Sequence, residues 1–252
     1  MEEILNVSDK LNLKDITYDS FILQYDRKTQ YSAADLVYCL SSILQSPRKL
    51  SKLGIALKDN HIEIIPNTRT KNTATADDIL QENFWAAYDA LSENNHRIIK
   101  QGIELAIETQ IAIVNQGTAL IEKKSIYPAQ EIRYAVMQSE SLQEIKFFQN
   151  PLGLQRLALF VMDAYKETKK SVKYKPLVLC VLNGQTNSFL VVGVTGVQGM
   201  SEVPKNSFGI KFRKAALDAN ARINHDGFET SIIEILKDDF EGFIDELCSK
   251  KK

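Results

Sequence analysis

Few residue types that could do chemistry occur in this sequence, and they are scattered. The three imidazoles, His61, His96 and His225, are isolated from one another. His225 followed by Asp226 offers half of a base–carboxylate pair, or the first two members of a metal site. Hydrolysis needs further ligands or a positioned nucleophile, and Asp226-Gly227 reads equally as the corner of a turn. Asp77-Asp78 and Asp238-Asp239, with Glu241, are carboxylates adjacent in sequence, and adjacent residues do not share a helix face. At a helix start their charge answers the exposed N–H groups, so capping accounts for them. Gly193, Gly196 and Gly199 recur at a spacing of three, without the Lys and Ser/Thr that hold phosphate and magnesium, and read as a strand end and turn. Neither a GxxxxGKS/T loop, a strand followed by GxGxxG, HExxH nor GxSxG occurs. The expectation is a chain with no catalytic residues, no metal and no cofactor.

Binding chemistry is better represented. Lys205, Lys211, Arg213, Lys214 and Arg222 are opposed locally only by Asp218, and Phe208 and Phe212 lie among them. Such a surface attracts phosphates and stacks bases, each base contributing roughly 1–3 kcal/mol. More often such phenylalanines are core and the charges a solvated face; a partner-protein surface is the further reading. Lys166, Lys169, Lys170, Lys173 and Lys175, against Glu167, form a second basic run. Overall charge supplies no such footprint: 31 basic against 32 acidic residues leave −1, so any nucleic-acid contact must be local.

The elements that must position these residues change character halfway along. After an extended stretch at Ser20–Tyr25, Ser32 and Asp35 are spaced as a capping box before Leu36, Leu40, Ile43 and Leu44, in a helix that stops near Ser46-Pro47. An edge strand at His61–Ile65 and a polar loop, NTRTKNTAT, follow. Thr75 and Asp78 repeat the capping logic before Ile79, Phe84, Ala87 and Leu91. Asn95 to Gln116 then forms a spine of about 33 Å at about 1.5 Å per residue, with Gly117 as its stop. The second half mixes periods. Short strands are expected at Glu131–Met137 and Ile145–Phe148, and a helix from Pro151 presents Leu154, Leu157, Val161 and Ala164 to a core. Strands Leu177–Leu182 and Phe189–Thr195 flank the turn NGQTNS. A helix Asn206–Ile223, a strand Ser231–Leu236 and a helix Lys237–Cys248 complete the pattern, which predicts an α/β fold: an N-terminal helical region followed by a mixed sheet flanked by helices.

With 252 residues, 44% apolar and 25% charged, the chain suits one large or two small domains rather than a disordered or fibrous structure. Its longest apolar runs fall far short of the roughly 20 residues of a membrane span, and the acidic opening MEEILNVSDKLNL lacks a secretory pattern. Cys39, Cys180 and Cys248 are too few and too separated for a disulfide framework, and read as buried or half-buried thiols.

Three blocks, FILQYDRKTQYSAADLVYCLSSILQSP (Phe21–Pro47), IIKQGIELAIETQIAIVNQGTALI (Ile98–Ile121) and NSFGIKFRKAALDANARINHDGFETSIIEI (Asn206–Ile235), resemble the C-terminal half of the cell division control protein 45 family, relatives of the DHH-type phosphoesterases. The resemblance implies a helical inter-lobe region over residues 1–120 and a degenerate DHHA1-like α/β domain over 121–252. It implies the later part of a longer protein whose metal-bearing DHH domain has no counterpart here, in a family regarded as having lost catalysis. The implied role is a non-catalytic scaffold subunit fragment of the eukaryotic replicative helicase, in the nucleus, binding GINS and the minichromosome maintenance ring. It would support initiation and elongation of DNA replication. Single-stranded DNA is a further candidate ligand. The alternatives are a single-stranded DNA-binding lobe or a fragment of a DHH-type phosphoesterase. Lys205, Lys211, Arg213, Lys214 and Arg222 are the candidate partner or DNA surface.

Overall fold

The computed structural model of the 252-residue chain describes residues 31–46, 76–92, 96–138, 143–168, 175–195, 205–225 and 229–249. They fall into two compact units, one ending at Gln110 and the other beginning at Ile111. The expectations for Ser20–Tyr25, His61–Ile65, the polar run 67–75, Lys169, Lys170, Lys173, Gly196, Gly199 and the Asp226-Gly227 corner lie outside the described residues.

The first unit is helical. Helix α1 (Ala33–Leu44) opens on the expected capping box. The Asp35 N–H donates to Ser32 Oγ at 3.2 Å, and the Ser32 N–H to Asp35 Oδ2 at 2.9 Å. Two donors that a helix start leaves open are thereby satisfied. Helices α2 (Ala76–Ala90) and α3 (His96–Glu122) follow. Cys39, Ile43, Ala87, Ala90, Ile99, Ile103 and Leu105 form one core. A Cβ on Gly102 of α3 would stand 2.3 Å from Cys39 Sγ and 2.8 Å from Ile43 Cδ1, so this glycine is the notch that admits α1. Burial pushes the Cys39 thiol up to about 11.

Two expectations fail along α2 and α3. The inward stripe of α2 is Asn83, Ala87 and Ala90, while Phe84 and Leu91 are exposed. Asn83, fully buried, donates from Nδ2 to the Ser46 carbonyl at 2.9 Å. That bond and the small alanines rotate the helix so that its large side chains stand one position, about 100°, further round. Gly117, read as a stop, lies inside α3. A Cβ there would meet the Phe160 ring at 2.5 Å, so the glycine serves close packing and the helix runs on to Glu122. The real terminus is Lys124, at φ 54, with the Ser125 N–H donating to Leu120 O and the Lys124 N–H to Ile121 O. This is the Schellman arrangement, closed without glycine.

The second unit is built on a six-stranded mixed sheet in the order β1-β2-β3-β4-β6-β5. Its strands are β1 (Tyr127–Pro128), β2 (Arg133–Met137), β3 (Leu177–Asn183), β4 (Ser188–Val194), β5 (Ile223–Asn224) and β6 (Ile232–Leu236). Only the β2–β3 pair is parallel. Its crossover carries helix α4 (Pro151–Thr168), as a parallel pair requires. Strands β3 and β4 are buried on both faces, which is why they read as continuous apolar runs. Leu177, Leu179 and Val181 face one core with Leu154, Leu157, Val161 and Ala164 of α4 and the C-terminal part of α3. Val178, Cys180 and Leu182 face the other, with helices α5 (Phe208–Asp218) and α6 (Lys237–Cys248). The α/β architecture of N-terminal helices followed by a helix-flanked mixed sheet is therefore present.

Further corrections concern local geometry. Ile145–Phe148 is not a strand: residues Gln143–Phe147 form a 3₁₀ turn closed by Phe148 N–H to Ile145 O at 2.9 Å, which buries Ile145 and Phe148, three apart, together. The β3–β4 loop is four residues, because Asn183 pairs with Ser188, and Asn187 takes φ 51. The helix expected over Asn206–Ile223 ends at Asp218, where Asn220 at φ 52 makes a second Schellman turn and frees Ile223 to pair with Ile235.

Candidate functional site

Helix α5 carries three of the five residues of the candidate basic surface, Lys211, Arg213 and Lys214, and its seating is specified locally. Gly193 of β4 lies under Phe208, where a Cβ would approach the ring to 2.3 Å. Asn206 joins the two elements: Nδ2 donates to Gly193 O at 3.1 Å, and Oδ1 accepts the Phe208 N–H at 3.0 Å. Phe208, Phe212, Ala215 and Ala216 are thereby turned inward. Phe212 meets Phe208 at 5.2 Å and Phe243 at 5.9 Å between ring centroids, while Phe189 stacks on Phe240 at 3.8 Å. These rings build the core, so base stacking on Phe208 or Phe212 is ruled out.

The opposite side of α5 presents Arg213 and Lys214 beside Ile210 and Leu217, which are 74% and 75% exposed. These two apolar residues were missed, although their phase, roughly half a turn from Phe208 and Ala215, is readable in the spacing. Lys205, ahead of the helix, is exposed.

Two of the five cations are engaged by carboxylates distant in sequence. Lys211 Nζ lies 3.1 Å from Glu131 Oε2. Arg222 Nε donates to Asp239 Oδ2 at 2.9 Å, and the Arg222 backbone N–H donates to the same oxygen at 3.0 Å. These bonds hold the Asp239 carboxyl below the usual range and raise the guanidinium. Asp239 therefore ties the segment after α5 to the first turn of α6, where Asp238 and Asp239 both stand as expected, their charge favoured at the helix start although no side-chain cap hydrogen bond is made. The N-cap is Leu236, which has no polar side chain.

Lys211 and Lys214 also line a cleft of about 540 Å³, with Glu131, Asp218, Glu246 and Cys248 among its walls. Its rim carries both charge signs. The basic run before β3 is likewise partly structural: Lys175 Nζ donates to Ala129 O and Gln130 O, each at 2.7 Å. Arg133 lies 4.8 Å from the Tyr165 ring centroid and donates to Lys175 O. Cys180 is buried and Cys248 half-buried; burial raises both thiols. Both His225 ring nitrogens are enclosed and find no hydrogen-bond partner among the described residues. Among the described residues no group of three or more His, Cys, Asp or Glu could hold a metal ion, and no helix is long and apolar enough to cross a membrane.

Comparison with known proteins gives the family of the chain. The family model described as CDC45 matches residues 1–250. The chain is 32% identical over 238 residues to the cell division control protein 45 homolog of Dictyostelium discoideum, covering 94% of this chain and 33% of that protein. It is 28% identical over 251 residues to cell division control protein 45 of Saccharomyces cerevisiae, covering 95% and 38%. The human homolog is 25% identical over 251 residues, covering 98% and 39%. The chain thus spans between a third and two fifths of the length of these relatives. The crystal structure of CDC45 from Entamoeba histolytica superposes with a TM-score of 0.53 at 22% identity, over 86% of this chain and 37% of that one, a likeness of fold. Matched over nearly its whole length, the chain belongs to the CDC45 family.

Proposed function

We propose that this chain is a non-catalytic scaffold subunit fragment of the eukaryotic replicative helicase, acting in the nucleus by binding GINS and the minichromosome maintenance ring. On this reading residues 1–120 form the inter-lobe region and residues 121–252 a degenerate DHHA1-like domain. Partner binding holds an assembly together by mass action and needs no bond chemistry in this chain. The observation that carries the reading is the outward face of α5, where Ile210 and Leu217 stand exposed between Arg213 and Lys214. An exposed apolar pair framed by guanidinium and ammonium groups suits a protein surface, in which apolar contact supplies affinity and charge sets register.

The test is titration of the purified chain and of an Arg213→Glu, Lys214→Glu variant against reconstituted GINS and the ring. Weakening of at least about tenfold supports the reading. Equal affinity of the two proteins for both partners contradicts it. A second reading, a single-stranded DNA-binding lobe, draws on the exposed cations Lys205, Arg213 and Lys214. It predicts affinity for an oligonucleotide that collapses with salt, because several phosphates must be neutralised at once.

A further inference from the structure

The five basic residues of the candidate surface divide by what already engages them. Lys211 is tied to Glu131 and lies 6.0 Å from the Phe208 ring centroid, and Arg222 is tied to Asp239. Arg213 and Lys214 are exposed, and their side chains meet no partner among the described residues. They share α5 with Ile210 and Leu217, the two most exposed large apolar side chains among the described residues. Positions 210, 213, 214 and 217 stand at i, i+3, i+4 and i+7, so the four side chains lie on one helix face. The apolar pair is two turns apart, about 10.5 Å along the axis at about 1.5 Å per residue, with a cation to each side between. Burial does not demand this face, because the inward stripe of α5 is Phe208, Phe212, Ala215 and Ala216.

The chemistry of the face narrows its occupant. Two cations without a carboxylate of their own draw anions, and two exposed aliphatic side chains draw apolar surface. A single nucleic-acid strand answers the first demand and not the second, since its bases stack on rings and the rings of α5 are buried. The same face of a second copy would bring two more cations against these two. A polypeptide carrying Asp or Glu beside apolar side chains answers both demands. Lys214 also lines the cleft of about 540 Å³ beside α5, which gives a carboxylate-bearing side chain room to reach the ammonium group from that side.

We infer that the outward face of α5 is the docking site for an acidic, apolar segment of a partner protein, with carboxylates on Arg213 and Lys214 and apolar side chains over Ile210 and Leu217. This inference rests on the scaffold reading above and names the chemistry of the segment that the surface takes.

Coupling by a carbodiimide reads the partner's carboxylate directly, because it joins an amine to a carboxyl group in contact with it, with loss of water. The 252-residue chain bound to purified GINS, and separately to the ring, is coupled and the product mapped by mass spectrometry. An amide between Lys214 and an Asp or Glu of one partner is expected. A Lys214→Arg variant is expected to keep its affinity, since it keeps the charge, and to lose that amide. An Ile210→Ser, Leu217→Ser variant should keep its melting temperature, both side chains being exposed, and bind that partner at least about tenfold more weakly. Unchanged affinity of the serine variant, or binding without coupling at Lys214, overturns the inference. The scaffold reading survives either result if the Arg213→Glu, Lys214→Glu variant still binds more weakly. Coupling of Lys214 to a second copy assigns the face to self-association, and loss of oligonucleotide binding by the charge-reversed variant with protein binding intact assigns it to nucleic acid; both overturn the inference. Failure of the unaltered chain to bind either protein removes the scaffold reading and this inference together.

Discussion

Aromatic side chains serve opposite ends in the two units. In the sheet unit, Phe189, Phe208, Phe212, Phe240 and Phe243 are all buried, stacked between the sheet and helices α5 and α6. In the helical unit, Phe84, Trp85 and Tyr88 stand outside a core made of Cys39, Ile43, Ala87, Ala90 and α3 side chains. The difference is one of layer geometry. A sheet face is broad, and on the side covered by α5 and α6 the space over it is filled largely by rings. Helices packed through a Gly102 notch and two alanines meet at close range over aliphatic side chains, and Phe84, Trp85 and Tyr88 stay outside that seam. The contrast teaches that a ring at a helical spacing is core or contact according to what it packs against, which periodicity does not state.

The sharpest way to break this contrast is to remove one ring from each class. Phe212→Ala should cost about 3–5 kcal/mol in urea or thermal denaturation of the sheet unit, whereas Trp85→Ala should stay within about 0.5 kcal/mol. Comparable costs would show that α2 hides its aromatic face within the folded chain. A smaller effect is expected at the seat of α5. Gly193→Ala places a methyl group 2.3 Å from the Phe208 ring, an overpacking expected to cost about 1–3 kcal/mol. A smaller side chain at position 208 in the same protein should recover part of the loss, and no recovery would mean that the contact is not the cause.

The architecture was legible where the residues themselves carry the physics. Ser32 and Asp35 announced α1, Pro151 announced α4, and the doubly apolar runs announced β3 and β4, because capping, fixed φ and two-sided burial each leave a local mark. What failed depended on partners far along the chain. Gly117 reads as a terminator until Phe160 is placed against it. The α2 stripe was drawn through Phe84 and Leu91 because Asn83, a poor core residue by type, becomes buried only when Ser46 O accepts its amide. The ion pairs of the basic surface lie beyond a local charge tally for the same reason: Glu131 lies 80 residues from Lys211 and Asp239 lies 17 from Arg222. Ile210 and Leu217 were within reach of the sequence, since they sit opposite the buried stripe of α5.

Capping tests the helical unit at lower amplitude. Ser32→Ala should cost about 0.5–2 kcal/mol, read as faster hydrogen exchange across α1 with the sheet unit unaffected. Loss of protection throughout both units would mean that they do not unfold separately.

The smallest effect concerns pH. Arg222 holds the Asp239 carboxyl below its ordinary value, so the stability it contributes is present above the unfolded value of about 3.9 and is lost as pH falls through the lowered folded value. Asp239→Asn should therefore be less stable than the native chain at neutral pH, the gap closing on acidification and shrinking with salt. A gap that widens toward low pH would reverse the sign of the assignment.

The most direct measurement of the proposal that this chain binds proteins through the exposed face of α5 is a salt titration of its affinity. The purified 252-residue chain is set against GINS, the minichromosome maintenance ring and a single-stranded oligonucleotide in parallel. Binding to at least one protein partner that survives physiological salt, with weaker and steeply salt-dependent DNA binding, is the predicted result. Tight DNA binding with no protein binding at any salt concentration would contradict it.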